Sequence, residues 1–445
     1  METSHLLEKY NVAAPRYTSY PTVPYWDEAS FTPQLWLDAL KKSYHTAAGE
    51  GISLYIHLPF CEKLCTYCGC NKRITTNHRV EKPYIDAVLK EWAMYVALLG
   101  EKPKIKELHL GGGTPTFFSP ENLHHLLAGI LGDTHEAECS FEGHPDNTTE
   151  AHLQTLYRFG FTRMSLGIQD FDPKVQFMIN RFQTPAQVQH ITDAARVLGY
   201  ESVNYDLIYG LPAQTPEGLR DTVNAVLSMR PDRIAFYSYA HVPWLKAGQR
   251  HYSEADIPRG AEKFKLYEMG REMLLAAGYK EIGMDHFALE SDALYIASRN
   301  GRLHRNFMGY THQHTRILLG LGVSSISDSF DAFAQNEKTV EAYQNKINKG
   351  DFAIERGHIL TEDDLRIRQH ILELMCRHTT FFEEGLPEQV RARLIPFLND
   401  QLIEADAQRV SVLEAGHPFL RNICMAFDER LWQQKPETIV FSSAI

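Results

Sequence analysis

Four of the seven cysteines of the chain fall within the ten residues CEKLCTYCGC, as Cys61, Cys65, Cys68 and Cys70. Thiolates are soft ligands that suit zinc or iron–sulfur clusters. A structural zinc site is closed by four ligands, usually in two separated pairs. Here C-x-x-x-C-x-x-C places Cys61, Cys65 and Cys68 on one short loop. That pattern points to a cluster in which three irons are held and the fourth stays open to bind and activate a small molecule. Zinc on the same loop is the other reading. Ferredoxin-type loops have a different rhythm and supply a fourth cysteine. Cys70 lies only two residues past Cys68, from where another cluster corner is hard to reach. It is read as a thiol beside the cluster, with a fourth ligand or a reactive thiol as the alternative. Cys139, Cys376 and Cys424 are scattered and are expected to be buried and inert.

A second stretch, GGGTP (Gly111 to Pro115), also ends an apolar run. Glycines there let backbone groups approach a ligand closely, because no Cβ intervenes. The stretch fits neither G-x-x-x-x-G-K-[ST] nor G-x-G-x-x-G, so phosphate-loop and dinucleotide readings fall away.

The elements that carry these loops alternate. Strand-like runs at 52–58, 105–111, 138–143, 162–168, 202–210 and 232–239 are separated by stretches of helical period. Ser119-Pro120, Thr184-Pro185 and Thr215-Pro216 are start signals, and Gly132, Gly160 and Gly199 are stop signals. Ile85, Val88, Leu89, Trp92, Val96 and Leu99 form one apolar helix face, and Leu123, Leu126, Leu127 and Ile130 another. Repeated βα units predict a parallel sheet, as a closed or partly open barrel or a doubly wound sheet. In a barrel the site lies at the C-terminal strand ends. The cysteine loop follows the first strand and GGGTP the second, so both should open on the same face. Residues 1–50 read as an N-terminal arm, 51–359 as the barrel with its extension, and 360–445 as a small, mainly helical C-terminal domain. Thr361 is an expected N-cap there, with one short strand near Val410–Leu413. A winged helix would be of that size.

The totals describe an ordinary globular protein of 445 residues, 44% hydrophobic and 23% charged. No apolar run is long enough to span a membrane, and the first residues lack a signal-peptide layout, so a cytoplasmic protein is expected. The net charge of −11 argues against nucleic-acid binding. An anionic substrate would need a local pocket of cations.

Taken together, these residues resemble the radical S-adenosylmethionine (SAM) superfamily, and most closely the oxygen-independent coproporphyrinogen III oxidase family. The likeness runs through PRYTSYPT (15–22), YIHLPFC (55–61), CGCNK (68–72), LHLGGGTPT (108–116), GIQDF (167–171), DLIYGLP (206–212), GMDHFA (283–288) and RNICMAFD (421–428). It implies a partly open (βα) barrel and a [4Fe-4S] cluster on Cys61, Cys65 and Cys68. SAM would be cleaved there to methionine and a 5′-deoxyadenosyl radical. It further implies conversion of two propionates of coproporphyrinogen III to vinyl groups, giving protoporphyrinogen IX. The family binds two SAM molecules. The positions matching the first are Tyr55, Gly112, Glu142 and Ile326. Those matching the second are Tyr67, Gly113, Thr114, Gln169, Arg181, Asp206 and Ala240. A one-electron donor, an electron acceptor and a monomeric state are implied as well. His144 departs from the family, which often has an acidic residue there.

The substrate carries four carboxylates on a flexible macrocycle. Arg16, Tyr17 and Tyr20 of the arm, with Arg302, His304, Arg305 and Tyr310, are the candidates to hold it, the arm closing over the site. The competing readings are a related radical SAM tetrapyrrole enzyme, of haem breakdown or methyl transfer, and a haem-binding chaperone.

Overall fold

Six strands follow the apolar runs to within one or two residues: β1 (Ile52–Leu58), β2 (Ile105–Gly112), β3 (Glu138–Gly143), β4 (Phe161–Gln169), β5 (Ser202–Tyr209) and β6 (Arg233–Ser238). The computed structural model describes residues 2–47, 49–132, 135–434 and 441–442. Helices follow the strands, and three of them start where the sequence signals it. Ser119, Thr184 and Thr215 accept hydrogen bonds from the backbone amides of Asn122, Gln187 and Gly218, which satisfies donors the helix itself cannot. Gly132 and Gly199 cap two of these helices with positive φ, while Gly160 sits one residue past the cap Phe159. The helix faces are buried as the period requires. Leu123, Leu126, Leu127 and Ile130 are all at 0% exposure, each contributing roughly 1.5–3 kcal/mol through burial.

Further strands extend the sheet: β7 (Lys280–Glu281), β8 (His286–Ala288), β9 (Leu318–Leu321), β10 (Ile326–Asp328), β11 (Ala332–Asn336) and β12 (Ile354–Ile359). Their order is β12-β11-β10-β9-β1-β2-β3-β4-β5-β6-β8-β7. From β9 through β1 to β6 every neighbouring pair is parallel. The strands outside this run pair antiparallel. The order is linear between two edge strands, so the parallel part is an open barrel with helices outside.

Alternation along the parallel strands gives the barrel a polar lumen. Leu54 and Ile56, Leu108 and Leu110, Met164 and Leu166, Val203 and Tyr205 are buried under the helices. Between them lie Tyr55 and His57, Glu107 and His109, Ser140 and Glu142, Arg163 and Ser165, Asn204 and Asp206, Arg233 and Tyr237. Register aligns these lumen residues in rows: Tyr55 beside His109, His109 beside Ser140, Glu142 beside Ser165, Ser165 beside Asn204.

The C-terminal segment holds more strand than its sequence suggests. Thr361 caps the helix Glu362–Arg377 through a capping box. Three short strands, β13 (Thr379–Phe381), β14 (Ile403–Ala405) and β15 (Arg409–Val412), form an antiparallel sheet in the order β13-β15-β14. Only the last is legible as an apolar run. Ile371, Leu374, Met375, Leu420 and Ile423 belong to the same packed core as the barrel. The arm is stitched to this segment. Arg421 donates to the carbonyls of Ala14 and Pro15, Asn422 to that of Tyr10 at 2.9 Å, and the Tyr17 hydroxyl to Asp428 at 3.1 Å. Cys139, Cys376 and Cys424 are buried. Among the described residues, no helix is long and apolar enough to cross a membrane.

Candidate active site

The cysteine loop and the glycine stretch meet at one end of the barrel because their backbones are bonded together. Gly113 N donates to Leu58 O at 2.8 Å, and Thr114 N to Phe60 O at 3.0 Å. A Cβ on Gly113 would stand 2.5 Å from Pro59 O, and one on Gly112 (φ +117) 2.8 Å from the His57 ring. The glycines are therefore required first by the fit between strand end and cysteine loop.

Cys61, Cys65 and Cys68 line a cavity of about 660 Å³ together with Tyr67, Gly112, Gly113, Thr114, Glu142, Gln169, Arg181 and Asp206. Donors approach the sulfurs. The Thr114 hydroxyl donates to Cys61 Sγ at 3.3 Å and Arg181 Nη1 to Cys65 Sγ at 3.6 Å. Burial pushes the Cys61 thiol up to about 11. A hydrogen bond with the Cys70 side chain, aided by the Lys72 ammonium, brings the Cys68 thiol below its ordinary value. Cys70 is exposed at the cavity rim, and its hydrogen bond with Cys68 raises its own thiol. Among the described residues, no three His, Cys, Asp or Glu side chains converge on a point that one metal ion could occupy. Three soft sulfur donors on one loop suit a cluster whose irons each take one thiolate.

The polar walls have unmet capacity. The Arg181 Nε and the Gln169 Oε1 are buried and lack a hydrogen-bond partner among the described residues. Gln169 holds φ +64, a strained conformation for a residue with a Cβ. Asp206 accepts from Ser165 at 3.0 Å and Asn204 at 2.8 Å. Burial, then the nearby Glu142 charge, pushes its carboxyl up to about 6. Burial also opposes the Glu142 charge, but His109 at 3.4 Å and Gly112 N at 3.2 Å outweigh it and hold that carboxyl below its ordinary value. His144 lines the same cavity. Burial and then Arg181 push its imidazolium value down to about 2, so the ring is neutral.

Tyr55 and Ile326 lie in an adjoining cavity of about 430 Å³ that shares Gly112, Glu142, Gly69 and Cys70 with the first. His57 Nε2 faces the carbonyl of Asn71 at 2.9 Å and must donate to it. Its Nδ1 is therefore the acceptor for the Tyr55 hydroxyl at 3.0 Å. Ala240 lines neither cavity. Its carbonyl accepts from Gln249 Nε2 at 3.1 Å, and the same nitrogen donates to Tyr67 O at 2.8 Å.

The substrate candidates are brought together only in part: Arg16, Arg305 and Tyr310 meet, and the others lie apart. Tyr17 and Tyr20 are buried at 1% exposure, Tyr17 bonded to Asp428, so they anchor the arm and do not present their rings to a ligand. Arg302 is exposed on the surface. His304 packs edge-on against His314 in a separate hollow beside the helix Glu362–Arg377. The Tyr310 hydroxyl donates to Met375 O at 2.8 Å. Arg305 lies 4.5 Å above the Tyr310 ring, with a buried Nε lacking a partner among the described residues, and reaches Arg16 O at 3.4 Å. Arg16 donates to Ser238 O, at the end of β6, at 3.0 Å. The split has a simple cause. His304–Asn306 and Gly309–Thr311 form a hairpin, and neighbouring residues of a strand face opposite ways.

The lumen residues His57, His109, Ser165, Asn204 and Tyr237 escaped sequence reading. Their signal was the polar member of each alternating pair inside runs that were read for their apolar members.

Residues 55–226 match the radical SAM superfamily. An oxygen-independent coproporphyrinogen III oxidase of Pseudomonas aeruginosa is 40% identical over 441 residues, covering 96% of this chain and 95% of the relative. The same enzyme of Escherichia coli is 37% identical over 454 residues, covering 99% and 98%. The solved structure of the Escherichia coli coproporphyrinogen III oxidase, described as a radical SAM enzyme, superposes with a TM-score of 0.87 at 36% identity, covering 93% of this chain and 97% of that one. A cysteine loop beside a glycine-rich strand end, in a barrel matched along nearly its whole length, leaves one assignment: the chain belongs to the oxygen-independent coproporphyrinogen III oxidase family of radical SAM enzymes.

Proposed function

We propose that the chain converts two propionate side chains of coproporphyrinogen III to vinyl groups, giving protoporphyrinogen IX, without oxygen and in the cytoplasm. Each propionate loses one hydrogen atom from its β-carbon, its carboxylate leaves as CO₂, and one electron passes to an acceptor. When bound, the [4Fe-4S] cluster and SAM supply the 5′-deoxyadenosyl radical that takes the hydrogen atom, with one electron from a donor.

Cys61, Cys65 and Cys68 hold the cluster in this reading, and Arg181 and Thr114 donate to its thiolates. The single observation that carries it is the cavity in which these thiols share walls with Glu142, Gln169, Arg181 and Asp206. Carboxylates suit an amino group or ribose hydroxyls, and the guanidinium suits a carboxylate.

The chain takes two SAM molecules, one in each adjoining cavity. What supports this is the division of the residues. Tyr55, Gly112, Glu142 and Ile326 line the smaller cavity. Tyr67, Gly113, Thr114, Gln169, Arg181 and Asp206 line the larger. Both volumes fall in the roughly 300–1,000 Å³ range of small-molecule sites. Ala240 acts indirectly, through the Gln249 bridge to Tyr67. Of the substrate candidates, Arg16 and Arg305 remain as the cations for substrate carboxylates.

The test is anaerobic. The protein is reconstituted with iron and sulfide and given SAM, a reductant and coproporphyrinogen III. Protoporphyrinogen and methionine should appear together, with bound SAM counting two per chain. Methionine without protoporphyrinogen would reject the substrate, and neither product would reject the reading entirely.

A further inference from the structure

The helix Glu81–Leu99 lies between β1 and β2 in the chain and contributes no residue to either cavity, yet it buries a carboxylate completely. Glu91 is at 0% exposure. Its Oε2 accepts from Gly322 N at 2.8 Å and from the Tyr343 hydroxyl at 2.7 Å, and its Oε1 accepts from Asn336 Nδ2 at 2.6 Å. No cation faces it in these bonds; all three partners are neutral donors. Burying a carboxylate this way is costly unless every lone pair is used. Burial indeed pushes the Glu91 carboxyl up to about 7.

What the carboxylate holds is a turn that ends in the site. Gly322 has φ +93, and a Cβ there would stand 2.6 Å from both His57 O and the Tyr84 hydroxyl. Asn336 Nδ2, fixed by Glu91, also donates to Gly322 O at 3.0 Å and Ser325 Oγ at 3.2 Å. Ser324, Ser325 and Ile326 line the smaller cavity beside Tyr55 and His57. Two turns earlier on the same helix face, the Tyr84 hydroxyl accepts from Val323 N at 2.9 Å and donates to His57 O at 2.7 Å. One helix thus grips both walls: the end of β1, which leads into the cysteine loop, and the turn before Ile326.

We propose that Glu91 is a positioning residue of the SAM site, holding the Gly322–Ser325 turn so that Ile326 and Tyr55 form one wall. The inference rests on the reading of that cavity as a SAM site. Glu91→Gln keeps the shape but turns an NH₂ donor toward a cluster of donors, so one bond must be lost and the turn shifts.

The experiment uses anaerobically reconstituted protein and reads SAM affinity by titrating the electron paramagnetic resonance signal of the reduced cluster, so product formation is not needed. Glu91→Gln should weaken SAM binding by about tenfold, the size of one charge-assisted bond, with iron content unchanged. In turnover, KM for SAM should rise while kcat at saturating SAM stays near that of the parent. Tyr343→Phe, which removes one of the three donors, should give a weaker shift in the same direction. A lowered melting temperature with unchanged SAM affinity in Glu91→Gln would make the residue merely structural and overturn the proposal. If Glu91→Gln fails to load iron, Tyr343→Phe decides: weakened SAM binding at full iron content supports the proposal, and unchanged binding overturns it. Failure of SAM to perturb the parent's own signal would reject the site, a result distinct from any difference between parent and variant.

Discussion

The floor and the mouth of the barrel both carry carboxylates, and they satisfy them in opposite ways. At the floor, Arg163 lies 3.5 Å from Glu107 and 3.2 Å from Glu138, and His312 lies 2.7 Å from Glu138. The His312 hydrogen bond and then the Arg163 charge bring the Glu138 carboxyl down to about 2. At the mouth, Asp206 accepts from the neutral donors Ser165 and Asn204, and burial and the Glu142 charge raise its carboxyl to about 6. At the floor the carboxylates have a guanidinium and an imidazole as partners, an arrangement that serves the fold. The mouth leaves its balance open, which suits a ligand that arrives with a positive charge and hydroxyl groups.

The strongest way to break this contrast is at the mouth. Cys65→Ala should abolish both methionine release and protoporphyrinogen formation, while urea unfolding of the iron-free protein stays that of the parent. A large loss of stability would mean that the loop serves the fold as well. Arg163→Ala should do the reverse. It leaves Glu107 buried without its cation, which costs about 3 kcal/mol in urea unfolding, while SAM affinity of the folded fraction is retained. Asp206→Asn should weaken SAM binding by about tenfold, the worth of one charge-assisted contact. It should leave the melting temperature at pH 7 equal or higher, because a buried charge is removed.

The smallest effect is in pH. Asp206 has a folded value above the ordinary carboxylate range, so the folded form binds the extra proton and stability rises as pH falls from 7 through about 6. Glu138 has a folded value below that range, so its contribution is present at neutral pH and is lost as pH falls from the ordinary range toward 2. Between pH 7 and 5 the melting temperature of the parent should therefore rise relative to that of Asp206→Asn, closing any deficit it has at pH 7. Parallel curves would erase the distinction between floor and mouth at this residue.

Much of the barrel was legible from the sequence, because strand runs, hydroxyl-proline starts and glycine stops are local signals. The six strands and the caps at Ser119, Thr184 and Thr215 fall where those signals put them. The cysteine loop and GGGTP were legible for the same reason, since each sits immediately after its strand. The lumen was harder. Glu107, Ser140, Asn204 and Arg233 acquire meaning only when six strands are set in register, and register is a property of the sheet. The substrate candidates were split for a related reason. Arg302, His304, Arg305 and Tyr310 are close in the chain, but the hairpin turns Arg305 inward and leaves His304 in another hollow. Tyr17 reads as a free aromatic until its partner Asp428, over four hundred residues away in the chain, is seen. The two strands β13 and β14 are short, and their few apolar residues do not rise above the helical pattern around them.

The cysteine loop is tied down on both sides by main-chain bonds. Gly113 and Thr114 hold its start, while Arg73 N donates to Pro59 O at 2.8 Å and Thr75 N to Cys61 O at 2.9 Å. None of these bonds uses a sulfur. The main chain of the loop is thus held by the fold itself. A protein that has lost its cluster to air is therefore expected to keep the seat, and to take up iron and sulfide again once its thiols are reduced, with its urea unfolding unchanged.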